Sequence, residues 1–212
     1  MVKLFARSDK KSIDKRAVIL EAALKTFVKR GYPETKVAEI SSEAGVAEGT
    51  IYNYFQNKED LLLALFDEKW CMIIDEIRKK IVRLEDPNKK LKAIFATVVM
   101  MFKKNRQLAE LFMVDIKQSS IFLNNYTIKR IVEFLSLIEE ILEEGKRKGL
   151  YRKDLDTRVA KMIIFGAAQG ILLSWVLSES SAIKGKPFNF SLYQAAKTLK
   201  DVFKSGLVGE KK

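Results

Sequence analysis

Residues 45–60, GVAEGTIYNYFQNKED, restrict this chain more tightly than any other stretch. A glycine opens a tight turn, about two turns of helix follow, and Asn57 with Asp60 caps a restart. A helix that short cannot sustain itself, because nucleation outweighs the few hydrogen bonds it closes. Neighbours must hold it. Just upstream, KVAEISSEA (Lys36–Ala44) spaces Val37, Ile40 and Ala44 three and four apart, the period of one helix face, and Thr35 is placed to cap it. Two short helices joined by a Gly-containing turn, the second presenting its side chains outward, form a helix-turn-helix that reads duplex DNA.

The rest of the chain repeats helical periodicity without interruption by strand-like alternation. With 48% hydrophobic residues, 3 Pro and 10 Gly in 212 residues, the fold class is all-α, with nine helices. Helix 1 is expected from Ser12, as N-cap, to Arg30, with the stripe Ile13, Ala17, Leu20, Leu24 and Phe27 and Gly31 as its stop. Helices 2 and 3 form the pair already described. Helix 4 starts after Asn57 and carries Phe66, Trp70, Ile73, Ile74, Ile77, Ile81 and Leu84 to near Glu85, a rod of roughly 40 Å. Asp86-Pro87 ends it and begins helix 5. A short helix 6 (about 107–117), a long helix 7 (about 120–148, stopped by Gly149), helix 8 (about 155–177) and helix 9 (about 192–205) complete the set. Ser191 and Gln194 form a capping box for the last. Residues 179–189 read as a surface loop.

Composition excludes several functions. The chain has no His, which removes the usual general base and the commonest metal ligand, and no nucleophile–base pair or metal spacing is visible. No catalytic residue, metal or cofactor is therefore expected, and the chain reads as a non-enzyme. A single Cys, Cys71, excludes an intramolecular disulfide and suits a reducing cytoplasm. The uncharged run Met162–Ser178 is short for a bilayer crossing and contains Gly166, Gln169, Gly170 and Ser174, so it reads as a buried helix of a soluble protein with no membrane partner. The net charge is +12, yet residues 1–60 contribute only +2 of it. Global charge thus does not locate a DNA-binding face. The first 16 residues do carry +4, either a basic arm that follows phosphates or a solvated tail.

The stretch GYPETKVAEISSEAGVAEGTIYNYFQNKEDLLLALF (Gly31–Phe66) resembles the DNA-binding motif of TetR-family one-component repressors. The likeness lies in Gly31-Tyr32, Thr35, Ile40, Ala44-Gly45-Val46, Gly49-Thr50, Tyr52, Tyr54-Phe55 and Asn57-Lys58-Glu59. It implies a TetR-like architecture: a basic arm over 1–13, a DNA-binding domain over 14–74 with its recognition motif near 37–56, and an effector-binding and dimerisation domain over 75–212. It also implies contacts. Thr35 and Lys36 would meet a phosphate, Gly49 would let helix 3 approach the backbone, and Thr50, Ile51 and Asn53 would face the major groove. Tyr52 and Tyr54 would give hydroxyls to phosphates, and Lys58 would clamp another. Phe55 is expected in the core, and Ile51 suits core and groove equally. Ala47 stands where many members carry a capping Ser or Thr, a departure worth about 1 kcal/mol.

Helices 4 to 8 offer an apolar lining for an effector: Trp70, Met72, Ile74, Phe95, Val98, Val99, Phe102, Phe112, Met113, Ile116, Phe165, Gln169 and Trp175, each of which also suits ordinary core. The C-terminal half, LEEGKRKGLYRKDLDTRVAKMIIFGAAQGILLSWVLSE, resembles the FadR-type branch of the family, which implies a long-chain acyl-CoA effector. The CoA phosphates would then want bases such as Arg106, Lys146, Arg147, Lys148 or Arg152. For dimerisation, helix 8 presents Ile163, Gly166, Ala167, Gly170 and Ser174, and helix 9 Leu199, Val202 and Phe203, apolar and small residues suited to a four-helix contact between two copies. The expectation is a cytoplasmic, homodimeric repressor of fatty-acid genes, bound to double-stranded palindromic DNA and released by a lipophilic effector. A repressor of an efflux operon responding to lipophilic drugs, and a helical acyl-CoA carrier that binds no DNA, stay open.

Overall fold

The computed structural model describes residues 2–112, 125–178 and 190–207. Among them are nine helices and no strand: α1 Val2–Arg30, α2 Val37–Ala44, α3 Glu48–Tyr52, α4 Lys58–Ile81, α5 Pro87–Lys104, α6 Arg106–Glu110, α7 Asn125–Arg147, α8 Thr157–Ser178 and α9 Leu192–Leu207. The all-α expectation holds. The expected surface loop over 179–189 lies outside the described residues.

Local chemistry sets the boundaries. Gly31, Gly45 and Gly149 adopt positive φ where α1, α2 and α7 stop. The Asn57 side chain accepts from Asp60 N–H at 2.8 Å, and Asp86 accepts from Asn88 N–H at 2.8 Å with Pro87 in the first turn of α5. Ser191 and Gln194 exchange backbone and side-chain bonds at 3.0 and 3.1 Å at the start of α9. Ala47 caps α3 without a side-chain acceptor.

Four expectations need correction. First, α1 begins at Val2, not Ser12: no Pro or Gly interrupts residues 2–30, so the basic arm is a continuation of the helix. Second, its buried face is centred on Ile19, Leu20, Ala23, Leu24 and Phe27, while Ala17 is exposed. Third, Lys36 rather than Thr35 is the N-cap of α2, and its N–H donates to Glu39 at 3.1 Å. Fourth, α4 ends at Ile81, so the rod is nearer 36 Å long.

α1 packs on α2, α4 and α6, and α4 continues into contacts with α5 and α7. One contiguous core runs from Leu20, Phe27, Ile40 and Ile51 in the N-terminal head through Leu62, Leu65 and Ile73 on α4 to Phe102 and Leu142 in the C-terminal body. Helix α4 is thus the shared beam of head and body. Arg130 of α7 fixes it from one side, reaching Asp67 at 2.5 and 3.3 Å and Glu133 at 2.9 Å, and its hydrogen bond to Asp67 pushes its pKa above the usual guanidinium value.

Candidate nucleic-acid interface and ligand cavity

The head divides its expected contact residues between two sides. Lys36, Gly49, Tyr52 and Asn53 are exposed, and Thr50 is half-buried. The space where a Cβ of Gly49 would lie is open, so a ligand backbone can come close there. The Tyr52 hydroxyl lies 3.5 Å from Glu48 Oε1. Ile51, by contrast, is 1% exposed and supplies the anchor that ties five-residue α3 to the core, so it is no groove reader. Phe55 is buried, and Tyr54 packs half-buried against the same core.

Thr35 and Lys58 also turn inward. Thr35 is 2% exposed and its hydroxyl donates to Gly31 O at 2.8 Å. Lys58 Nζ donates to the carbonyls of Tyr32, Pro33 and Thr35 at 2.9, 3.0 and 2.9 Å, and sits 4.7 Å over the Tyr32 ring. An ammonium has three N–H donors, and these carbonyls use all of them. In this conformation Lys58 therefore braces the start of α4 against the 31–35 turn and has no donor left for a phosphate. Burial, with Glu59 adding, raises the Tyr32 phenol above its ordinary value, so the ring under Lys58 stays neutral. Arg16 is part-exposed but engaged, bonded to Glu68 at 3.1 Å and 5.5 Å over the Phe55 ring.

In the body, α4, α5, α7 and α8 line a narrow apolar cavity of ≈ 50 Å³. Its wall is Trp70, Leu91, Ile94, Phe95, Val98, Phe102, Phe134, Ile138, Ile164, Phe165, Ala168, Gln169 and Leu172. That is well below the roughly 300–1,000 Å³ of occupied small-molecule sites, so a ligand of that size has to part these helices to enter. Trp70, Phe95, Val98, Phe102, Phe165 and Gln169, each expected in an effector lining, are among these wall residues. Ile74, Val99, Phe112 and Trp175 do not line it: Ile74 is 1% exposed in the core, Phe112 packs tilted against Phe66 with centroids 4.9 Å apart, and Trp175 lies under Arg106 at 5.7 Å. Met72 is exposed on the other side of α4. Met113 and Ile116 lie outside the described residues. Sequence reading missed Phe134 and Ile138, whose α7 periodicity marks an apolar face without saying what that face meets.

The bases expected for a CoA head group are mostly engaged. Lys146 donates to Leu155 O at 2.8 Å, Arg152 to Asp154 at 2.7 Å, and Arg106 to Glu110 at 2.7 Å. Lys148 bonds Glu85 O and Glu144, and with Lys90 it holds the Glu144 carboxyl below the usual range.

α8 departs most from expectation. It is long and apolar enough, by length and composition, to cross a membrane, yet only 17% of that window is buried within the chain. Val159, Met162 and Ile163 are each more than half exposed, beside exposed Gly166 and Gly170. On α9, Tyr193 and Val202 are exposed too, while Leu199, Phe203 and, on α8, Ala167 and Ser174 are half-buried.

Comparison with known proteins decides the assignment. Residues 19–65 match the family described as bacterial regulatory proteins, tetR family, and residues 66–190 match the YsiA-like protein, C-terminal region. The chain belongs to the TetR family. As a TetR-family protein it is a DNA-binding transcription regulator rather than an enzyme. It is 31% identical over 161 residues to the fatty acid metabolism regulator protein of Bacillus subtilis, covering 76% of this chain and 83% of that one. The fatty acid degradation regulator FadR of Bacillus halodurans has a similar solved structure, with TM-score 0.79 and 32% identity over 90% of this chain and 98% of that one. FadR of Bacillus subtilis, solved with stearoyl-CoA, has TM-score 0.81 and 28% identity over the same shares.

Proposed function

We propose that this TetR-family regulator is a cytoplasmic, homodimeric repressor of fatty-acid metabolism genes, released from a palindromic operator by a long-chain acyl-CoA. The observation that carries the ligand class is the cavity wall, apolar throughout except for Gln169 and the Trp70 indole. An acyl tail gains about 0.8 kcal/mol for each methylene buried there, and a charged or many-donor drug finds no partners. The named relatives point to the same chemistry.

Lys36, Thr50, Tyr52 and Asn53 are the operator contacts in this reading, with Gly49 giving clearance. The apolar faces of α8 and α9 meet those of a second copy, which covers surface that one chain leaves in water. Trp70 in the cavity wall and Lys58 at the head lie on one helix, about 18 Å apart. An acyl chain that parts α5 from α7 and α8 tilts this beam and changes the separation of the two reading helices, which must match grooves about 34–36 Å apart. A coupling of about 1–3 kcal/mol releases the operator.

The test uses the full chain and a duplex chosen by selection from a random pool. Fluorescence anisotropy is expected to show operator release as palmitoyl- or stearoyl-CoA is added, with a dimer's mass before and after. No release at any acyl length removes the ligand class, and retained release by lipophilic drugs alone replaces it with efflux control.

A further inference from the structure

Among the described residues, one buried side-chain polar atom has no hydrogen-bond partner: Nε1 of Trp70. Trp70 is 6% exposed and stands in the cavity wall. Buried polar groups in folded proteins nearly always find a partner, so this one calls for a cause. Packing does not supply it. The rings against it, Phe66 with centroids at 6.0 Å and Phe134 at 5.2 Å, offer at most weak π contacts. Gln169 is the other polar side chain of that wall, and it too makes no hydrogen bond to a described residue. An unpartnered buried donor thus borders an apolar cavity, with the half-buried amide of Gln169 on the same wall.

We propose that the Trp70 Nε1–H donates to the carbonyl oxygen of the acyl thioester and fixes the chain's register in the cavity, with the Gln169 amide as the second polar group of the same wall. This rests on the acyl-CoA reading and adds to it a specificity-determining residue. An indole nitrogen donates and never accepts, so its partner must be an acceptor. A thioester carbonyl is an acceptor, and the methylenes behind it are not. With the carbonyl held at Trp70, every added methylene lies further along the cavity, so chain length is read from a fixed origin. Trp70 belongs to α4, so the bond also places the ligand directly on the beam that joins body to head.

The experiment compares palmitoyl-CoA with S-hexadecyl-CoA, a thioether of similar length that lacks the carbonyl, by calorimetry on the full chain. The wild type is expected to bind palmitoyl-CoA about five- to tenfold more tightly. Trp70→Phe keeps an aromatic ring against Phe66 and Phe134 and is expected to bind both ligands alike, at the thioether's level. In ¹⁵N spectra one of the two tryptophan indole N–H signals, assigned by its loss in Trp70→Phe, moves downfield with palmitoyl-CoA and not with the thioether. A preference that survives in Trp70→Phe, or no preference in the wild type, overturns the proposal while leaving the acyl-CoA reading intact. Binding of neither CoA compound overturns both. Palmitate, titrated alongside, separates carboxylate from thioester: a Trp70-dependent gain for palmitate alone overturns the thioester assignment. If Trp70→Phe does not fold, the wild-type comparison and its indole shift still decide the outcome.

Discussion

In the head, Thr35 and Lys58 turn their donors onto backbone carbonyls of residues 31–35, whereas in the body Trp70 borders a cavity with its indole N–H unpartnered. The head also fills its interior, with Leu20, Leu24, Phe27, Ile40 and Ile51 essentially inaccessible around α3. The body keeps free space between α5, α7 and α8, and leaves an apolar face of α8 in water. A reader of base edges needs fixed side chains, because a loose helix loses the register on which discrimination depends. A sensor needs an alternative packing that a ligand can favour, and an incompletely filled, incompletely satisfied interior provides one. Rigidity in one half and incompleteness in the other are two requirements of one regulator, joined by α4.

The largest expected effect tests whether the body is loose throughout or only at its cavity. A Cβ on Gly145 would lie 2.1 Å from two ring carbons of Tyr151, a buried tyrosine whose hydroxyl donates to Asn88 at 3.2 Å. The ring pins the end of α7 to the start of α5 and cannot stay there. Gly145→Ala is expected to destabilise the chain by about 3 kcal/mol, read as a fall in denaturant midpoint. A change under about 1 kcal/mol means that this part of the body repacks freely, and the contrast with the head then extends beyond the cavity.

How much of this was legible beforehand follows from the range of the forces involved. The caps at Asn57 and Ser191, the start of α5 at Asp86-Pro87 and the stops at Gly31 and Gly149 are local chemistry, complete within four residues, and sequence places them correctly. The phase of α3 is not local. A five-residue helix has too few turns for periodicity to choose a face, and burial of Ile51 follows from the core beneath it. The role of Lys58 depends on carbonyls 23 to 26 residues upstream, contacts that only the folded head creates. The cavity was half legible for a similar reason. Apolar positions on α4, α5 and α8 are evident, but the meeting of Phe134 and Ile138 with them belongs to tertiary packing. The uncharged run of α8 reads as buried because composition records apolar surface and not whether this chain covers it.

Lys58 provides the second test, of about 2 kcal/mol. Lys58→Met removes three donors to carbonyls and the contact with the Tyr32 ring, so thermal stability is expected to fall by that amount. The salt dependence of operator binding is expected to keep its slope, since no phosphate contact is lost. The opposite pair of results, an unchanged melting temperature and a slope shallower by about one, makes Lys58 a phosphate clamp. The head would then hold a charged side chain in reserve, and its difference from the body would narrow.

The smallest effect falls on the outward side of the head and leaves stability alone. Asn53 is exposed, follows the last residue of α3, and its side chain makes no hydrogen bond to a described residue. Nothing in the fold needs its amide, so Asn53→Ala is expected to change unfolding free energy by less than about 0.5 kcal/mol. An amide that reads a base edge contributes about 1–3 kcal/mol of discrimination. The variant should therefore lose about tenfold in affinity for the operator and very little for a scrambled duplex of equal length, both measured by anisotropy at fixed salt. Equal loss on the two duplexes moves Asn53 to a backbone contact. A fall in melting temperature places it inside the rigid half, where Thr35, Ile51 and Lys58 already are, and leaves Thr50 and Tyr52 as the side chains of α3 proposed to contact the operator.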